Sequence, residues 1–87
     1  MPDKTLLIVR INAKDMEKLD ETVSAVKTIK SGAVKDVRKE PIGFGVQVIK
    51  AGILVDSKDE GAPDRVISEI AALTEVEDAE IEGMTLL

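Results

Sequence analysis

Residues 5–13 read Thr-Leu-Leu-Ile-Val-Arg-Ile-Asn-Ala, a β-branched, apolar run with partial alternation at its end, which predicts a buried strand. The period then changes. Met16, Leu19, Val23 and Val26 recur at three- and four-residue steps behind Asp15, which can cap a helix of about three turns. Ser31 and Gly32 break that pattern, and residues 33–40 set Val34 and Val37 among charged neighbours, as a partly exposed strand would. Pro41, Ile42, Gly43, Phe44 and Gly45 form a turn-like connection to residues 46–55. There Val46, Val48, Ile49, Ile53, Leu54 and Val55 predict the most buried strand. An acidic loop over 56–61 leads to Pro63 in the first turn of a second helix, where its missing amide hydrogen has no partner to lose. Val66, Ile67, Ile70 and Leu73 supply that helix with an apolar face. Residues 76–84 then alternate Ala79, Ile81 and Gly83 with Asp78, Glu80 and Glu82, the period of a strand with one wet face.

The order βαββαβ with short connections predicts an α+β, ferredoxin-like arrangement: a four-stranded antiparallel sheet with two helices on one face. Right-handed crossovers put both helices on the same side. A chain of 87 residues is long enough for one core, so a single domain over 1–87 is expected. It cannot also cover the second face of the sheet, which is left to solvent or to a partner.

Composition removes several kinds of chemistry. There is no Cys, His, Trp or Tyr, which takes away the commonest metal ligands, the usual proton shuttle near neutral pH and disulfide stapling. No metal or cofactor is expected. No uninterrupted apolar run is longer than residues 6–9, far short of a membrane span, and residues 1–4 lead into it without a signal-peptide pattern, so a cytosolic protein is expected. Residues 1–55 hold ten Lys/Arg and seven Asp/Glu, whereas residues 56–87 hold two and ten. A chain of net charge −5 without a basic cluster is a poor ligand for phosphate backbones. Its carboxylates either keep the surface soluble or steer the chain toward a basic partner.

Without His or Cys, a nucleophile–base pair could be built only from Lys or carboxylates acting on Ser or Thr, and no conventional active site is expected. Gly43-Phe44-Gly45 lacks the third glycine of a dinucleotide fingerprint, no Gly-Lys-Ser/Thr occurs, and the sheet lacks the aromatic residues on which RNA bases stack. Phe44, the only aromatic residue, has two readings. By composition it is a core side chain, since most Phe are buried. Its glycine flanks and the stiffening Pro41 describe an exposed recognition turn instead.

The Pro41-Ile42-Gly43-Phe44-Gly45 turn, the apolar strand after it and the acidic, Gly-ended loop over 56–61 resemble the exchange domain of the translation elongation factor one-beta family, archaeal type. The likeness covers nearly the whole chain and is most specific at that turn. It implies a partner, the GTPase elongation factor one-alpha, from which members of the family accelerate GDP release so that GTP can enter. It also implies partner contacts at Pro41, Ile42, Gly43, Phe44 and Gly45 and in the tail at Met84, Thr85, Leu86 and Leu87. Eukaryotic relatives place a Lys next to the last residue, reaching toward the magnesium site of the GTPase. Here that position is Leu86, so the chain cannot expel the metal by that charge. Ala62 stands where relatives often carry a Thr able to cap the second helix, a matter of about 1 kcal/mol of stability. A monomer is expected when the partner is absent. The alternative is an ACT-like regulatory module that senses amino acids and shares the βαββαβ order. Its glycine-containing ligand loop would follow the first strand, where this chain has Asn12-Ala13-Lys14-Asp15.

Overall fold

The computed structural model describes residues 3–87; Met1 and Pro2, which head the amino-terminal segment considered above, lie outside the described residues. The elements run β1 (Lys4–Ala13), α1 (Leu19–Val26), β2 (Ala33–Gly43), β3 (Val46–Asp56), α2 (Ala62–Ala71) and β4 (Val76–Leu86). All neighbouring strands are antiparallel, in the order β2-β3-β1-β4. This is the expected ferredoxin-like α+β fold, with both helices on one face. No helix of the described residues is long and apolar enough to cross a membrane.

Period-2 burial decides which face the helices cover. Leu7, Val9 and Ile11 of β1 and Ile49, Ala51, Ile53 and Val55 of β3 form one cluster with Leu19 and Val26 of α1 and Val66 and Ile70 of α2. Leu6, Ile8 and Arg10, with Lys50, Gly52 and Leu54 opposite them, alternate to the other face. That face has no second layer.

Several local expectations change. Asp15 does act as a cap, accepting a hydrogen bond from the Glu17 amide, but what it caps is a 3-10 turn over Met16–Lys18 that precedes the α-helix. The buried stripe of α1 is Leu19, Thr22 and Val26. Thr22 is tolerated there because its hydroxyl donates to the Lys18 carbonyl at 2.9 Å, leaving a methyl for packing. Pro41 and Ile42 belong to β2 and not to a turn. A proline fits because β2 is an edge strand, where one missing ladder donor costs nothing. Alternation in β4 is not continuous either. The register slips between Ile8 and Val9, so Glu82 is looped out, Gly83 stands opposite Ile8 on the open face, and Met84 stands opposite Leu7.

The link from α1 to β2 is held by a group from α2. The Glu69 carboxylate accepts from the Lys30 amide, from the Ser31 amide at 2.8 Å and from the Ser31 hydroxyl at 2.6 Å. The Ser31 hydroxyl bond, opposed by burial and helped by the two amides and the Lys30 charge, holds this carboxyl below its ordinary range. Glu69→Ala is expected to cost about 2 kcal/mol, since charged hydrogen bonds to the partly buried Ser31 amide and hydroxyl and to the exposed Lys30 amide are lost together. A carboxyl whose folded value is lowered stabilises the fold at pH above its unfolded value. The gap between parent and variant should therefore be full near neutrality and shrink as pH falls below about 4.5, which denaturant titrations at pH 7 and pH 3 would measure.

Candidate functional site

β2 and β3 are joined by the tightest hairpin the chain could make. Gly43 pairs with Val46, leaving Phe44 and Gly45 as the two-residue loop, and both have positive φ, 55° and 74°. Positive φ at both loop positions is the geometry whose twist matches the strands it joins. Gly45 suits it without cost, whereas Phe44 is a bulky residue held in a left-handed conformation. Gly43, at φ 109°, completes the bend after a register slip that loops out Ile42.

This backbone drives Phe44 away from the body. Its side chain is fully exposed at 106%, with Ile42 at 51% and Val46 at 40% beside it. A β-carbon on Gly43 or Gly45 would meet nothing within 4 Å, so the tip is bare on both flanks. The core reading of Phe44 is thereby excluded. Val46 was expected to open the most buried strand, yet alternation along β3 turns it away from the helix-facing set of Ile49, Ala51 and Ile53, and it joins the exposed apolar tip. Its position two residues after Phe44 in a tight hairpin is the signal that could have found it.

The tail sits elsewhere. Met84, Thr85 and Leu86 are not a loose extension but the end of β4, with Leu86 opposite Thr5, and the Leu87 amide donates to the Lys4 carbonyl at 3.0 Å. Met84, Leu86 and Leu87 are exposed, Leu86 at 67%. Lys4 pairs with Asp56 at the far end of β3, so the tail and the hairpin tip stand at opposite ends of the sheet. β3 has 11 residues, which at about 3.3 Å each separates the two groups by roughly 30 Å along a molecule 42 Å long. Sequence reasoning placed both groups without indicating that they point apart.

Next to the tail lies the acidic loop. Thr5, Val55, Asp56, Asp59, Glu60, Pro63 and Met84 border a shallow hollow of about 270 Å³ between them. Two of its carboxylates serve the loop itself: Asp56 accepts from the Lys58 amide, and Asp59 accepts from the Gly61 amide and pairs with Arg65. Three of the four carboxylates of β4 are likewise engaged, Asp78 with Asn12, Glu80 with Arg10 and Glu82 with Lys50. The Lys50 ammonium is raised above its ordinary range by Glu82 first, against some burial, with Glu40 adding to it. Among the described residues no group of three or more Asp or Glu is placed to hold a metal ion.

The profile of the EF-1 guanine nucleotide exchange domain matches residues 9–87. The chain belongs to that family. This exchange domain is 36% identical over 81 residues to elongation factor 1-beta of Methanospirillum hungatei JF-1, covering 93% of this chain and 94% of that protein. It is 43% identical over 54 residues to elongation factor 1-beta of Methanoculleus marisnigri, covering 62% of this chain and 63% of the relative. Among solved structures it superposes on PH0061 with a TM-score of 0.61 and 24% identity, over 98% of the exchange domain and 52% of the PH0061 chain, a likeness of fold.

Proposed function

We propose that the chain is a guanine nucleotide exchange factor for the GTPase elongation factor one-alpha in protein synthesis, acting by binding and not by covalent catalysis. The observation that carries this reading is the bare, fully exposed Phe44 on a tight two-residue hairpin tip in a member of the exchange-domain family. A large aromatic side chain held in water by a strained backbone gains nothing for the fold, but its burial in a partner pocket is worth about 2 kcal/mol or more. Pro41, Ile42, Gly43, Phe44 and Gly45 form one contact in this reading, and Met84, Thr85 and Leu86 at the other end of the sheet form a second. No group on this chain has to break a bond. A GTPase holding nucleotide at nanomolar strength has about 12 kcal/mol to overcome, and a protein that binds its nucleotide-free conformation better offsets part of that. The coupling is reciprocal, so entering GTP in turn displaces the exchange factor. Elongation takes place in the cytoplasm, which is where this reading puts the chain.

The test is direct. Elongation factor one-alpha loaded with a fluorescent GDP analogue should release it faster when the chain and excess GTP are added. Release at the uncatalysed rate at saturating concentrations of the chain rules the proposal out.

The ten carboxylates of residues 56–87 bear on the speed of encounter. Several are ion-paired within the chain, but the field of that third remains negative, and long-range attraction acts on net charge. The association rate with the GTPase should fall as salt rises from about 50 mM to about 500 mM, while the dissociation rate changes little. Stopped-flow binding across that range measures both. A flat association rate assigns these carboxylates to solubility alone.

A further inference from the structure

The two contacts named above each reach onto the same face of the sheet. At the tip, Val46 alternates in β3 with Lys50, Gly52 and Leu54 and so shares the open face with them. At the tail, Thr85 stands opposite Leu6, which belongs to that face too. Between tip and tail the face carries three cross-strand rows in the order β2, β3, β1, β4. Nearest the tail stand Ala33, Leu54, Leu6 and Thr85; next come Asp36, Gly52, Ile8 and Gly83; then Arg38, Lys50, Arg10 and Glu80. The first two rows are apolar at their centres, where Leu6, Ile8 and Leu54 are partly exposed. Gly52 has no side chain where Lys50 and Leu54 have long ones, and it floors a hollow of about 410 Å³ beside Leu6 and Ile8. The third row is satisfied within the chain, Lys50 by Glu82 at 2.6 Å and Glu40 at 3.7 Å, Arg10 by Glu80 at 3.8 Å. What this face lacks is an apolar group above Gly52.

We propose that the GTPase lies across the open face between tip and tail and sets an apolar side chain into the hollow above Gly52, an inference that rests on the exchange reading. Continuity selects the face. A partner that holds Phe44 at one end and Thr85 at the other spans roughly 30 Å of sheet, and it must pass over one face or the other. The far face is already covered by α1 and α2.

Area points the same way. A buried Phe contributes about 150–250 Å², and tip and tail are a few side chains each, whereas a standard interface takes about 800 Å² from each partner. Four strands about 4.8 Å apart over that length offer roughly 600 Å² more. Charge describes what must face it. On β2, Lys35 and Arg38 are cationic; on β4, Glu80 and Glu82 are anionic. The surface that fits carries a carboxylate toward β2, a Lys or Arg toward β4 and a Leu-sized apolar side chain between them.

Nucleotide release and methyl NMR test this together. The parent chain has first to accelerate GDP release; a parent without effect removes the exchange reading and this inference with it. Gly52→Val then fills the hollow. A β-carbon on Gly52 would meet Leu6 Cδ1 at 3.5 Å and Asp36 Cβ at 4.0 Å, ordinary contacts. Valine therefore fits its own fold and favours a strand, so the melting temperature should hold or rise. Exchange should fall about tenfold, because the partner's side chain no longer enters. The second measurement uses the parent chain and needs no substitution. In its complex with nucleotide-free GTPase, saturation of the GTPase protons should pass to the methyls of Leu6, Ile8 and Leu54. It should not reach Val23 and Ile67 on the helices. An active parent whose Gly52→Val variant exchanges at the parent rate overturns the inference and leaves the exchange reading standing. Saturation that arrives at Val23 and Ile67 in place of Leu6, Ile8 and Leu54 does the same.

Discussion

Phe44→Ala should slow GDP release from elongation factor one-alpha about thirtyfold and leave the melting temperature of the free domain unchanged. The two halves of this expectation have separate causes. Loss of an anchor worth about 2 kcal/mol in the nucleotide-free complex corresponds to that factor in rate. The unchanged stability follows from full exposure: with no buried area on the ring, truncation opens no cavity. Alanine also tolerates the positive φ of this position no worse than phenylalanine does. Circular dichroism melting and nucleotide release on the same sample decide the matter. A variant that retains the parent's exchange rate removes Phe44 from the partner contact.

Leu7→Ala should do the reverse, with a large loss of stability and no local effect on the tip. Leu7 is fully buried at the centre of the sheet, facing the helices in the cluster with Val9, Ile53, Val66 and Ile70. Deleting it removes buried apolar area and leaves a cavity that a close-packed interior fills only in part, a cost of about 3 kcal/mol or more. In a domain of this size about 1 kcal/mol moves the midpoint by roughly 4–8 °C, so thermal unfolding should shift downward by about 12 °C or more. A shift of only a few degrees contradicts the assignment of Leu7 to the core. At temperatures well below the lowered midpoint the folded fraction should keep its activity per molecule, because Phe44 remains outside the affected packing.

Element order was legible because the apolar period switches from 2 to 3.6 and back in blocks that match strands and helices. What a β-branched run does not convey is which face each residue takes. Val46 is three residues from Ile49, so alternation turns it to the face the helices leave open, and the residue type that is buried at Ile49 is exposed there. Thr22 reads as polar and is buried, since its hydroxyl is satisfied by the Lys18 carbonyl one turn back. Gly83 reads as a member of the Ala79–Ile81 face and is not, because a looped-out residue is invisible to a count of alternation. At the candidate site the sequence left Phe44 between core and tip, and only the two-residue closure of the hairpin excludes the core. The tail residues were legible as apolar, but not their pairing with β1, which depends on the register of a strand far away in sequence.

Those looped-out residues have a consequence for how the chain can change length. In β4 the partner of Ile8 is Gly83 and the partner of Val9 is Ile81, so removing Glu82 would leave every other pair in the strand opposite the same residue as before. The same holds for Lys35 and Ile42 in β2. Elsewhere in a strand a one-residue deletion turns every following side chain to the wrong face. Evolutionary insertions and deletions within these strands are therefore confined to a few positions at the sheet's two edges, while the central pair, β1 against β3, runs from Lys4↔Asp56 to Ile11↔Ile49 without a slip and admits none.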